Sequence, residues 1–394
     1  MRALFLAAAL AAPSVLAPAV AAQPSPEVIR VAVVQGDPEV TLQIHGAFTI
    51  LSLQTNQPIE QGREFRPTAV RATPQGLTLG ATLLPISGLR VEPVRDATLS
   101  VNGQRLRGTL EILRQNNSTL LVINHVALED YLKGVVSKEA PDYWPQEALK
   151  AVAIAARTYA LYRRLTKAGD TFDVMGNVMS QDYGGHSAEK RATTRAVDAT
   201  RGKILEFGGK LFPSFYHSTC GGMTEHGRVM GTFDLEPLRG GIGCEFCRAS
   251  PFFSWQRRLT AADVNWALRS SAHGTVGSVR DVRITAATPM GRVEQITIVG
   301  AARTLALTGY DFRALFGFER IRSLRFTVIR AGGDFILDGH GWGHGVGMCQ
   351  WGALELARRG VLAEDILTYY YPGVSIVPLA ELAGGSLAVV EGGS

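Results

Sequence analysis

The chain has 394 residues, 46% of them hydrophobic, with 43 glycines, four cysteines and a formal net charge of +5. About 370 residues beyond a leader suffice for one large domain or two with well-buried cores, and the glycine content suits a strand- and turn-rich protein. The positive charge is dispersed, with no basic helix or stripe, which excludes a nucleic-acid partner; a weak positive excess suits an anionic wall or membrane surface and nothing sharper.

In chain order, the first residues read as a secretory leader. Arg2 supplies the positive start, residues 4–20 are apolar but interrupted by Pro13 and Pro18, and Ala19, Ala21 and Ala22 offer a small-residue cleavage site before Gln23. The expectation is a signal peptide over 1–22, cleaved near Ala22, and export to the periplasm, the extracellular space or the cell wall; a retained anchor is the alternative. No later segment reaches a spanning length of about 20 apolar residues.

Residues 23–121 predict a β-rich N-terminal region, with strands at 29–34, 41–44, 48–53, 77–79 and 110–113 and a hairpin at Asn102-Gly103. A mixed α/β catalytic region with a few helices and a largely antiparallel sheet is expected over 122–377, then a flexible tail over 378–394. The class is α+β. Leu128, Tyr131, Leu132, Val135 and Val136 have helical spacing, and Pro141 stops that helix near 136. A second helix opens at Pro145 and runs to about 165. Strands at 203–207 and 211–216 precede Gly- and Cys-bearing loops. Strands return over 279–328, with a helix or turn around 311–315. Helices close the region at 351–359, stopped by Gly360, and at 363–370, closed by Pro372-Gly373.

Four features can carry chemistry. The helix over 148–162 is apolar nearly all round, and Arg157 is the charge at its middle, so it must be paired: as a structural ion pair, or beside a cleft holding a carboxylate or anionic ligand. Glu139 sits just past the first helix in a loop fixed by Pro141 and flanked by Tyr143 and Trp144. An exposed loop glutamate is the plain reading; a desolvated carboxyl with a raised pKa, able to act as a general acid, is the chemical one. The run Asp338–Met348 alternates Gly with His and Trp. His340 and His344 lack a helix to align them on a metal, and Gly343-x-Gly345-x-Gly347 lacks dinucleotide spacing, so no nucleotide cofactor is expected. It reads as a glycan-facing loop with positive-φ glycines, His344 being structural or substrate-binding. Cys220, Cys244 and Cys247 with His217, taken ahead of His226, form a structural zinc set; a disulfide or free thiols are the alternatives, and Cys349 reads as a small buried residue.

Six segments in order resemble the SpoIID/LytB family of cell-wall proteins: Val122 through Gly134-Val-Val to Glu139-Ala140-Pro141, Ala156-Arg157-Thr-Tyr-Ala160, Ser180-Gln-Asp-Tyr-Gly184, the run from Phe215 through Cys220-Gly-Gly to Glu225, Gly339 to Gly352, and Ile366 to Gly373. The resemblance implies a lytic transglycosylase acting on peptidoglycan glycan strands stripped of peptide stems and leaving 1,6-anhydro ends, or a non-catalytic enhancer of a cell-wall amidase. It puts the catalytic carboxyl on Glu139, has Arg157, Gln181, Tyr183, His344 and Gln350 bind or position the sugar, and adds weight to zinc. Two departures stand out: Ala140 where members often have Met, and Pro237-Leu238-Arg239 where many have a Tyr-Leu pair before a basic residue. A zinc amidase or peptidase fits poorly, because H-E-x-x-H is missing and a three-Cys metal site is closed.

Overall fold

The computed structural model describes residues 27–95, 97–116, 118–177, 179–383 and 387–390. The expected leader lies outside them. Period-two alternation drives the first hundred described residues into one sheet. Its strands are β1 (Val28–Asp37), β2 (Glu39–Ser52), β3 (Pro58–Thr73), β4 (Gly76–Leu79), β5 (Thr82–Leu84), β6 (Gly88–Pro93), β7 (Thr98–Val101), β8 (Gln104–Leu106), β9 (Thr109–Gln115) and β10 (Thr119–Ala127). Along the sheet the order is β1-β10-β9-β6-β2-β3-β4-β5, all antiparallel, with β7 pairing both β2 and β8. The strand β11 (Val174–Met175) joins β1 in parallel. The boundary expected between 121 and 122 therefore falls inside β10.

Two helices pack on this sheet. The first, α1 (Leu128–Glu139), continues past the expected end at 136 and stops where Ala140 turns extended before Pro141. Glu139 is thus its last residue, not a loop residue beyond it. The second, α2 (Gln146–Thr166), buries every side chain from Ala148 to Tyr162 except Lys150. Its Arg157 is fully buried and forms a two-pronged pair with Glu129 of α1, Nε to Oε1 at 2.9 Å and Nη2 to Oε2 at 2.8 Å. The rest of the guanidinium donates to the carbonyls of Val197 and Lys203. It fastens α1, α2 and the helix Arg191–Ala199 to one another.

Three expectations change here. The strand expected over 211–216 is reduced to a single bridge from Leu211 to Val389 and the short strand Tyr216–His217, because Pro213 lacks the N–H a ladder needs. Within the tail expected to be flexible, the described residues include a short helix over 379–383 and hydrogen bonds joining Leu211 to Ala388 and Val390. The region expected as one unit over 122–377 has two cores. Helices α1 and α2 share the main core with the large sheet, whereas Trp255, Leu259, Val264, Ile296, Phe312 and Leu337 belong to a second. That second core lies between two three-stranded antiparallel sheets and two helices, Ala261–Arg269 and Gly309–Phe316. Its first and last strands are neighbours, with Ser254 opposite His340. No helix among the described residues is long and apolar enough to cross a membrane.

Removing one member of a buried ion pair strands the other. Arg157→Ala should lower unfolding free energy by about 3–5 kcal/mol, measured by denaturant titration. Arg157→Lys, lacking the planar fork, should recover only part of that.

Candidate active site and thiol cluster

The carboxyl of Glu139 is held from both sides. The backbone N–H of Asp182 donates to Oε1 at 3.1 Å, and Gln350 Nε2 donates to Oε2 at 3.2 Å and to the Glu139 carbonyl at 3.1 Å. Burial raises its pKa from 4.5 to about 7; the two donors and Lys138 pull the other way, and the Asp182 carboxylate adds to the rise. Its seat at the C-terminal end of α1 also disfavours a negative charge. The result is an acid that holds its proton near neutrality yet keeps a fixed orientation.

Around it lies a buried polar hub. Tyr131 donates its hydroxyl hydrogen to Gln181 Oε1 at 2.9 Å, and Gln181 Nε2 donates to the Ala156 carbonyl and, at 2.9 Å, to the Tyr216 hydroxyl. Burial above all raises the pKa of both tyrosines, followed by neighbouring Tyr159 for Tyr131 and by Glu139 for Tyr216. The Tyr183 hydroxyl donates to Asn124, and its ring packs on Tyr131 at 5.1 Å and against Gly134. Gln181 and Tyr183 are therefore buried and committed to protein partners. What orients the acid is the N–H of the residue between them, Asp182, whose own carboxylate pairs with Lys138 at 3.3 Å.

The predicted site residues thus divide. Glu139 and Gln350 meet, with Gln181 and Tyr183 behind them. Arg157 does not join them: it is enclosed on Glu129, ten residues earlier in α1 and about 15 Å along the helix axis. The structural-pair alternative is the one observed. His344 donates from Nε2 to the Tyr216 carbonyl at 3.0 Å and accepts the Val346 N–H at Nδ1. Burial, then the charge of Arg292, lowers its pKa to about 3, so the ring is neutral with both nitrogens bonded to main chain. Sequence reasoning missed Asp182 and Tyr216 although both lie inside quoted segments; each was passed over for a neighbour.

The alternating glycines seat this loop. Gly341, Gly345 and Gly347 have φ of 80°, 88° and 68°, and a Cβ on any of them would collide with Thr219, Arg292 or Phe215 respectively. The fit lets Met348–Cys349 pair in parallel with Tyr216–His217.

That pairing also corrects the metal set. Cys220, Cys244, Cys247 and Cys349 are all buried, with their sulfurs within 4.8 Å of one another and Cys220 Sγ 3.5 Å from Cys247 Sγ. Tetrahedral zinc, with Zn–S near 2.3 Å, needs sulfurs about 3.8 Å apart, so the four thiols fit a metal. The Cys220 N–H donates to Cys349 Sγ and the Tyr370 hydroxyl lies 3.0 Å from Cys244 Sγ, polar support suited to thiolates. His217 is not the fourth member. Its Nδ1 donates to the Val346 carbonyl, and Nε2 has no partner. Cys349, read as a mere small residue, takes that place.

The family model described as "Stage II sporulation protein" (SpoIID) matches residues 116–207, which hold α1, Glu139, α2 and the 180–184 segment. A "Domain of unknown function (DUF8618)" matches 245–347, close to the second core. The chain is 32% identical over 353 residues to an uncharacterised protein of Brachyspira hyodysenteriae, covering 89% of this chain and 93% of that one. It is 32% identical to the stage II sporulation protein D of Bacillus amyloliquefaciens, over 64% of this chain and 75% of the relative. It is 27% identical to the amidase enhancer of Bacillus subtilis, over 74% of this chain and 47% of that protein. The chain belongs to the SpoIID family.

Two outcomes test the electrostatics. Gln350→Met removes a donor that favours the ionised acid, so the Glu139 pKa should rise above about 7, read by carbon NMR of labelled glutamate. The folded value of Glu139 exceeds the unfolded one, so its contribution to stability is fully present below 4.5 and is lost as pH rises through about 7. Glu139→Gln should abolish that loss, making the variant gain on the parent between about pH 5 and 8 in denaturant titrations.

Proposed function

We propose that the protein is exported and cleaves peptidoglycan glycan strands, with Glu139 as the one acid and base. The observation that carries this is the Glu139 carboxyl itself, raised to about 7 and aimed by Asp182 and Gln350. Protonated Glu139 gives its proton to the oxygen between two sugars as the bond to C1 breaks through an oxocarbenium-like state. The carboxylate left behind takes the proton from the C6 hydroxyl of the same sugar, whose oxygen bonds to C1 and closes a 1,6-anhydro ring. Glu139 is then protonated again, so no second catalytic carboxylate is needed. Asp182 is the neighbouring carboxylate, and its ion pair with Lys138 leaves it a supporting charge. Strands without peptide stems suit this reading as substrate.

A second reading keeps the same residues without turnover, binding glycan and stimulating a cell-wall amidase. The similarity to a protein named amidase enhancer supports it. Purified protein incubated with naked glycan strands separates the two: anhydro-ended fragments appear only under the first. Glu139→Gln should keep the fold and strand binding while turnover falls at least about a hundredfold; near-normal turnover would remove Glu139 from the mechanism.

The thiol cluster is proposed to hold one zinc ion, which when bound would tie three distant chain segments together and supply no reaction chemistry. Elemental analysis should find about one zinc per chain, retained in His217→Ala and lost in Cys349→Ser. Metal lost with His217 and retained without Cys349 would restore the histidine as ligand.

A further inference from the structure

Beside the acid runs a line of half-buried aromatic rings that the mechanism does not use. Trp351 follows Gln350, the residue bonded to Glu139, and packs on Trp144 at 5.7 Å. Phe252 lies 6.4 Å from Trp351, and Trp342 lies 4.4 Å from Phe252, edge to face. At the far end the Arg322 guanidinium covers the rings of both Phe252 and Trp342, at 5.3 and 5.2 Å. Phe252, Arg322 and Trp342 all come from the part of the chain matched by the domain of unknown function.

Arg322 is held but not partnered. Its carbonyl accepts from the Gly343 N–H and from Arg313, so its main chain is fixed. Among the described residues its side chain has no carboxylate or carbonyl acceptor, and its Nε is shielded from solvent without a hydrogen-bond partner. The two rings stand nearly perpendicular to each other, at 86°, and the guanidinium carbon lies over both with Nε shielded from solvent. The two Nη groups are left to donate, and as a planar fork they match a carboxylate. Half-buried rings next to unpaired guanidinium N–H groups describe a site for an acidic sugar.

We propose that Trp351, Phe252 and Trp342 form an outer subsite for the glycan strand, in which Arg322 binds the free lactyl carboxylate of a muramic acid that has lost its peptide. This rests on the glycan reading above and deepens it: the subsite makes the bare strand the preferred ligand. In an intact strand that carboxylate is consumed in the amide to the stem, so the fork loses its charged acceptor and meets a bulky peptide instead.

The test measures binding by calorimetry in the full chain carrying Glu139→Gln, so that strands are not cut. Two probes are used: peptide-free glycan strands, and the same strands with their carboxyls converted to primary amides. The parent should bind the free-carboxylate strands roughly tenfold tighter, the scale of one charge-assisted hydrogen bond, and added salt should shrink the difference. Arg322→Gln should erase the preference, weakening binding of the free-carboxylate strands about tenfold and of the amidated strands much less. Arg322→Lys, which keeps the charge but not the fork, should retain part of it, and unchanged circular dichroism would verify both folds. No preference in the parent, or equal losses on both probes in Arg322→Gln, overturns the subsite while leaving the glycan reading standing. No binding of either probe by the parent overturns both.

Discussion

The centre of this protein depends on how residues 341–350 lie against residues 215–221. Glycines at alternate positions remove the side chains that would hold the two segments apart, and positive φ at those glycines sets the path. Four contacts then follow from one alignment. Trp342 pairs with Thr219, His344 reaches the Tyr216 carbonyl, Cys349 reaches Cys220, and Gln350 reaches Glu139. The same loop bonds to the second core, through Gly343 with Arg322 and through the buried Arg292, which donates to the carbonyls of Gly343 and Cys220. A methyl group at Gly347 would therefore disturb the acid, the thiols and the contact between the two cores together.

Rigidity behind the acid has a different source. Helix α2 is small-residue and buried, which brings it close to its neighbours, and its one central charge is neutralised by Glu129 of α1. The pair is far from the reacting carboxyl, but it fixes α1, and the last residue of α1 is Glu139. Gly134 on the same helix lets the Tyr183 ring press in, which carries the N–H of Asp182 to the carboxyl. Helix position, ring packing and one backbone donor thus fix the orientation of the Glu139 carboxyl.

Much of this was legible in the sequence, and the reasons differ by element. Helical spacing from Leu128 to Val136 and the proline brackets placed α1 and α2, and family motifs placed Glu139. Arg157 in an apolar helix announced a buried pair, but sequence distance could not say whether its partner was a cleft or Glu129. The helix Ala261–Arg269 was missed although Thr260 and Asp263 form a capping box at its start, a local signal with a known meaning. The fourth thiol was missed for the opposite reason. His217 is three residues from Cys220 and Cys349 is distant, and only the parallel pairing of Tyr216–His217 with Met348–Cys349 makes the distant residue the near one.

The second core has a further consequence, because the chain enters and leaves it side by side. Ser254 and His340 are opposite each other on adjacent antiparallel strands, so the host chain sees almost no gap where the unit is attached. An insertion with touching ends makes little demand on the body that carries it, and the host can accept units of different length at small entropic cost. Glu139 and the second core are thereby carried by stretches of one chain that meet at a single seam.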